Sequence, residues 1–419
     1  MIKKLSKNFF ILIFGEGFSH FIGFIINAYI ARVLSVEGFG IINYCLAFLT
    51  YLFLFSTMGL PTLGTREVAR DNSNIRIMGE ILGTRLFLTL IFYVISFLLI
   101  LIIPGNALTK KIIFLYILAG IPYAFYLEFV FQAREEMEYV AGGRIIQYSS
   151  YLILILIFLK NKEQIIAVPL SFLGGYITAT LFLFLLFLHK YKKINLSLNP
   201  LKSYQMLINA LPIGLATMIY QAAMNFPVIC LGIFHNERDV GFFSASFKII
   251  ILLLIIERVF YYLFFPIFST QDQKNIGKIL TFSSQIILSI TFLITVLGII
   301  FAQNIITLIY DSDFAPSVRV LRILLFYFMI APLNTIWGYA LVALNQEKKF
   351  LCVIIIISIL NLILTIVLGY LLKATGVAIA LFVSELIGLI IMKIKLNSVV
   401  QFQPFSSFKS RDIKDLFKN

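Results

Sequence analysis

Long stretches without a single charge decide what this chain can fold into. Leu86 to Ile103, Ile165 to Leu188 and Phe350 to Leu372 contain no Asp, Glu, Lys or Arg. Each reaches the roughly 18–20 residues that a helix needs to cross about 30 Å of hydrocarbon. Composition points the same way over all 419 residues: 60% are hydrophobic and 13% charged, against about 45–50% apolar and about 25% charged in soluble domains. The expected fold class is all-α, a polytopic membrane protein.

Hydropathy, read with turn and charge breaks, places helices near residues 9–31, 41–60, 83–103, 111–132, 145–159, 165–188, 207–233, 240–266, 281–302, 318–343, 350–372 and 375–396. That makes about twelve transmembrane helices. The first begins just after Met1 to Lys7 with no small-residue cleavage site behind it, so it is expected to be retained rather than removed as a signal peptide. With Met1 in the cytoplasm, the loops on that side hold Lys3, Lys4, Lys7, Arg66, Arg70, Arg76, Arg134, Arg144, Lys190, Lys192, Lys193, Lys202, Lys274, Lys278, Lys348 and Lys349, and a basic tail follows from Lys393 to Lys418. The opposite side holds less than half as many cations. The positive-inside rule then places both termini in the cytoplasm of a cell inner membrane and accounts for the +14 net charge.

Charge dispersed over short loops excludes a nucleic-acid partner, because no domain presents it as a patch. No loop exceeds roughly 20 residues, which leaves no room for an extramembrane catalytic domain. Cys45, Cys230 and Cys352 sit singly in apolar runs, and His20, His189 and His235 are scattered. These cysteines read as buried packing residues, with no disulfide and no metal site. No GxxxxGK[ST] phosphate loop occurs, so neither a nucleotide nor another cofactor is expected.

A displacement of 201 residues superposes Asn8 on Asn209, Glu16 on Thr217, His20 on Gln221, Gly40 on Gly241 and Asn43 on Ser244 without a gap. Two six-helix bundles are expected: residues 1–189 and 206–396, with a cytoplasmic linker at 190–205 and a basic cytoplasmic tail at 397–419. An even number of helices makes the repeat parallel, which puts a cavity between the halves.

Polar residues within the spans are the candidate site. Glu16, His20, Gly23 and Asn27 recur at i, i+4, i+7 and i+11, within about 40° of one helix face. Thr217, Gln221 and Asn225 form the counterpart stripe, followed by Pro227. Such residues either line a hydrated lumen or bond neighbouring helices at up to about 2 kcal/mol each. A charge near bilayer centre costs roughly 2.5–3.5 kcal/mol, which makes Glu16 a candidate ion-coupling residue. Lys248 and Arg258, ten apart and about 80° around an ideal helix, can share a face and attract an anionic head group. The alternative is an internal pair with Glu16, Glu128 or Glu385. Arg32 closes the first helix, where it either snorkels or meets substrate. Arg66 and Arg70 lie four apart on a short amphipathic segment, where they bind a pyrophosphate or pair with Glu67 and Asp71.

These positions carry a family resemblance. Asn27-Ala-Tyr-Ile-Ala-Arg32, Glu37-Gly-Phe-Gly40, Met58-Gly-Leu-Pro-Thr-Leu-Gly-Thr-Arg-Glu-Val-Ala-Arg70 and Val240-Gly-Phe-Phe-Ser-Ala-Ser-Phe-Lys248, with Asn361 and Gly376-Val-Ala-Ile-Ala380 near the end, resemble the Wzx-type polysaccharide flippases of the multidrug/oligosaccharidyl-lipid/polysaccharide exporter superfamily. The resemblance implies a MATE-like, two-bundle transporter that alternates between inward- and outward-facing states. Its substrate would be an undecaprenyl-pyrophosphate-linked oligosaccharide for O-antigen, lipopolysaccharide or capsule biosynthesis, with membrane lipids and a polysaccharide polymerase as partners. A cationic cavity is implied too, and Arg32, Lys248 and Arg258 match it. The chain is then not an enzyme. A multidrug/cation antiporter of the same superfamily is the alternative, and a membrane glycan polymerase would need a longer outer loop than the one around Gln303 to Ser317.

Overall fold

A computed structural model describes residues 2–70, 75–102, 106–191, 196, 199–270 and 273–402. Of the positions weighed above, Asp71, Lys192, Lys193 and the tail 403–419 lie outside those residues, as do the side chains of Lys3, Lys4, Lys7, Asn8, Arg76, Lys202, Thr217 and Lys274.

Every regular element among the described residues is helical. In chain order they are α1 (Ile2–Thr57), α2 (Leu60–Arg70), α3 (Ile75–Ile102), α4 (Ala107–Ile117), α5 (Gly120–Ala124), α6 (Glu128–Ala133), α7 (Met137–Phe158), α8 (Ala167–Tyr191), α9 (Pro200–Phe234), α10 (Glu237–Leu253), α11 (Ile255–Thr270), α12 (Gln273–Ile300), α13 (Ala302–Ile309), α14 (Ser317–Ala343) and α15 (Glu347–Asn397). Nine segments of the described residues are long and apolar enough to span a bilayer, so the protein is a polytopic all-α membrane protein.

Two of those segments far exceed one crossing, at 57 residues (Phe14–Arg70) and 51 residues (Glu347–Asn397), where about 20 suffice. The second is broken by one residue in the left-handed region, Lys373 at φ 56°, and the first by Ser35 at φ 62° and again by Met58 and Gly59 at φ 42° and 79°. A single such residue interrupts the i→i−4 ladder and re-aims the chain. The arms of α1 are therefore 2–34, called the upper arm, and 36–57, the lower arm, and those of α15 are 347–372 and 374–397. The sequence pattern placed short loops at these points. The helix expected over 111–132 is instead three pieces, α4 to α6. Pro122 lies in the middle piece and cannot donate to the ladder.

The chain divides into two compact units, Met1–Gly241 and Phe242–Asn419. The first has a core built from Leu60, Leu82, Phe129, Phe131, Leu183 and Phe187. The second packs Phe268, Ile287, Trp337, Leu341 and Leu396 together, and the Trp337 indole N–H donates to Ser284 Oγ at 2.8 Å. Phe97, Leu101, Leu185, Ile300 and Leu371 are exposed, as suits helices whose outer solvent is lipid.

In the first unit the lower arm of α1 crosses the start of α10. A Cβ on Gly40 would overlap the Glu237 carbonyl oxygen, and a Cβ on Gly241 would overlap that of Val36. Only glycine allows backbones this close. Residues 40 and 241 are 201 apart, as are 36 and 237. The spacing read from sequence thus reappears as a reciprocal contact, the signature of a local twofold. The Glu37–Arg238 ion pair at 2.5 Å has the same spacing.

Candidate functional site

The first unit holds a cluster of charges within its helices. On α7, Arg144 and Tyr148 share one face, and the exposed Ile153 and Ile157 lie on the opposite one. Arg144 Nη1 donates to Glu16 Oε1 on α1 at 2.7 Å, and its Nη2 and Nε donate to Glu128 Oε1 on α6 at 2.5 and 3.1 Å. Gln132 Nε2 adds a third bond to Glu128 at 2.8 Å. Each of these charges alone would be costly at this depth, and sharing one guanidinium lets both carboxylates stay inside. The sequence pattern began this helix at residue 145 and left Arg144 in a loop. Its counter-charges come from helices 128 and 16 residues away in sequence, so no local pattern shows the pairing.

Arg85 is the largest omission of the sequence reading, which began the apolar run at the next residue. It is 2% exposed. Its guanidinium donates to the carbonyls of Tyr126 at 2.9 Å and Tyr123 at 2.5 Å, and stands 5.4 Å from the Tyr123 ring. Tyr126 lies in the break between α5 and α6, and Tyr123 in the last turn of α5, where its carbonyl also accepts from the Tyr126 N–H at 3.2 Å; the arginine adds charge-assisted bonds where the helix ladder gives out. Around these charges gather Tyr123, Tyr126, Tyr148 and Tyr176, none of which was singled out from the sequence.

The other candidate residues of this unit are placed as follows. His20 is half-buried one turn after Glu16. Asn27 Nδ2 donates back to the Gly23 carbonyl at 2.7 Å, and Asn225 Nδ2 on α9 does the same to Gln221 at 2.9 Å. Arg32 is exposed near the end of the upper arm of α1. Arg66 and Arg70 on α2 are exposed, and both meet Glu67, at 3.0 and 3.5 Å.

In the second unit Lys248 is half-buried on α10, and no hydrogen bond or ion pair joins it among the described residues. Arg258 is exposed on α11. Leu254 separates the two helices, so the continuous helix assumed for their shared face is interrupted between them. Glu385 on α15 accepts from Asn334 Nδ2 at 2.7 Å. Glu257 lies in hydrogen-bonding reach of Thr335 and in electrostatic reach of Glu385 and Arg258. The Glu385 partner seen here is thus an amide on α14.

No group of three or more His, Cys, Asp or Glu side chains suited to a metal is present among the described residues. None of the three cysteines is in a disulfide. Cys45 and Cys230 are buried as expected, whereas Cys352 is exposed. It lies among exposed residues such as Leu351 and Ile355, where lipid suits a thiol as well as a core does.

Residues 5–272 match the family described as "Polysaccharide biosynthesis protein". The chain is 23% identical over 412 residues to the "Putative O-antigen transporter" of Escherichia coli (strain K12), covering 95% of this chain and 98% of that one. Its fold is similar to that of a solved "Lipid II flippase MurJ, inward closed conformation", with a TM-score of 0.71 and 16% identity over 97% of this chain and 88% of the other. It is similar also to a multidrug resistance MATE family transporter of the MOP superfamily solved in an inward-facing conformation, with a TM-score of 0.69 and 13% identity over 91% and 95%. At such identities these two likenesses speak for the fold alone, and that fold is the MATE-like one expected. The match of the longer part of the chain settles its kinship: the protein belongs to the polysaccharide biosynthesis protein family.

Proposed function

We propose that the protein is a flippase. It carries undecaprenyl-pyrophosphate-linked oligosaccharide repeat units from the cytoplasmic to the outer face of a cell inner membrane, for surface polysaccharide synthesis. The observation that carries this reading, within the family, is Lys248: a half-buried cation in an apolar helix, joined by no counter-charge among the described residues. A lone ammonium there is costly, and a pyrophosphate would offset that cost by a charge-assisted contact. Arg258, Arg32, Arg66 and Arg70 extend the cationic path, and His20, Asn27, Gln221 and Asn225 offer neutral polar contacts to sugars. In this reading both termini are cytoplasmic, the bundles are residues 1–189 and 206–396, and a polysaccharide polymerase receives the product. Glu16 is the coupling residue, since its protonation would leave Arg144 to Glu128 alone.

The test is extraction of lipid-linked saccharides from cells lacking the protein. Accumulation facing the cytoplasm with loss of surface polysaccharide is expected, and Lys248→Ala with Arg258→Ala should reproduce it at normal protein levels. Unchanged lipid and polysaccharide pools would refute the reading. The two carboxylates Glu257 and Glu385, in reach of each other in the second unit, favour one rival, a multidrug/cation antiporter. Efflux of a cationic dye dependent on the protein would establish it.

A further inference from the structure

In the first unit four tyrosines meet the charged cluster described above. The Tyr123 and Tyr176 rings stand 5.7 Å apart at 87°, Tyr126 and Tyr176 6.4 Å apart at 72°, and Tyr148 borders Gly23 of α1. Tyr123, Tyr148 and Tyr176 are half-buried, yet their remaining surface does not face lipid. Ile121 on α5, Ile153, Leu156, Ile157 and Phe158 on α7, and Leu170, Ile177, Leu181 and Leu185 on α8 are the exposed large apolar residues of these helices. Ile121, Ile153, Ile157, Leu181 and Leu185 lie roughly 140–200° around their helices from the tyrosine on each, and the others roughly 80–120°, so none shares the tyrosine's own face. The rings therefore border the inside of the bundle.

Simple core packing does not explain them. This chain uses 43 Phe against 20 Tyr, and a phenylalanine would fill the same space without a hydroxyl to satisfy. Tyr126 sharpens the point: it is 7% exposed, and its hydroxyl has no hydrogen-bond partner. A buried hydroxyl of that kind has given up its water without gaining a bond in exchange. It lies in electrostatic reach of Glu128 and Arg144, so the unused hydroxyl belongs to the same polar cluster.

Aromatic faces beside a carboxylate, a guanidinium and a free hydroxyl suit one ligand class, because a pyranose ring has an apolar C–H face and a rim of hydroxyls. We infer that this wall is a carbohydrate subsite. Tyr123, Tyr148 and Tyr176 take the ring faces, while the Tyr126 hydroxyl, Glu128 and Arg144 bond the sugar hydroxyls. The inference rests on the flippase reading and adds to it where the sugars are recognised, apart from the phosphate contact given to Lys248.

Affinity of the purified full-length protein in lipid nanodiscs separates the two ideas. One probe is saccharide-bearing undecaprenyl pyrophosphate extracted from cells lacking the protein, and the other is synthetic undecaprenyl pyrophosphate without sugar. Tyr126→Phe removes only an unpartnered hydroxyl, so its unfolding temperature should match or exceed that of the wild type. It should weaken the saccharide-bearing lipid about fivefold, the effect of one net hydrogen bond, and Tyr176→Leu should weaken it about tenfold or more. Affinity for the sugar-free lipid should change less than about twofold in both. Unchanged affinity for the saccharide-bearing lipid, or equal losses on both probes, would overturn the subsite and leave the flippase standing. A wild-type protein that bound neither probe would overturn both.

Discussion

Replacing Arg144 with methionine keeps an unbranched apolar stem and removes the guanidinium shared by Glu16 and Glu128. Two carboxylates are then left without their cation between helices. Breaking a buried ion pair by deleting one partner costs about 3–5 kcal/mol. The three side chains here keep 17–26% of their surface accessible, which calls for the lower end, about 3 kcal/mol. At roughly 2 °C per kcal/mol for a chain of this size, the unfolding temperature should fall by about 6 °C. The pairing is unequal, since Glu128 receives two of the guanidinium donors and Glu16 one. Adding Glu128→Gln to Arg144→Met should therefore recover more stability than adding Glu16→Gln. Thermal unfolding of the four detergent-purified proteins, followed by dye or intrinsic fluorescence, reads all of this. If Arg144→Met melted within about a degree of the wild type, or if neither glutamine restored any stability, the cluster would not be what holds α1, α6 and α7 together.

Arg85→Lys should lose about 1–3 kcal/mol despite keeping the charge, because one ammonium cannot reproduce a planar fork aimed at two carbonyls; the same melting assay would show a silent substitution if the fork were dispensable. Gly241→Ala should already cut the yield of monodisperse protein on size exclusion, since its Cβ must enter the Val36 carbonyl, and a wild-type yield would show that the crossing tolerates a methyl group. By contrast, Glu37→Ala should cost less than about 1 kcal/mol, because the Glu37 and Arg238 side chains are 55% and 65% exposed, and a large loss would show that this pair governs the crossing. Glu16→Gln should abolish the pH dependence of transport while leaving protein levels normal, and an unchanged profile would remove Glu16 from coupling.

Much of the fold was legible before any coordinates. Uncharged runs of span length can only be satisfied as helices in hydrocarbon, and that physics acts locally, residue by residue. The 201-residue displacement was legible for the same reason, since Gly40 and Gly241 are needed wherever two backbones cross closely. The pairing of interior charges was not. Arg144 reads from sequence as a loop cation because hydropathy charges each residue its cost singly, whereas the fold offsets that cost with carboxylates from two other helices. Arg85 was invisible in another way: its partners are backbone carbonyls at a helix break, and no side-chain pattern records those. The tyrosine wall went unnoticed because hydropathy counts a tyrosine as nearly apolar wherever it points.

The sequence by itself determined that this chain lives in a membrane as a set of apolar helices, because desolvating a backbone leaves only one local solution there. Which arginine meets which glutamate, which tyrosines share a wall and that Lys248 meets no counter-charge among the described residues were decided only by tertiary structure. Those facts depend on distances between residues far apart in the chain, and only the packed bundle sets them.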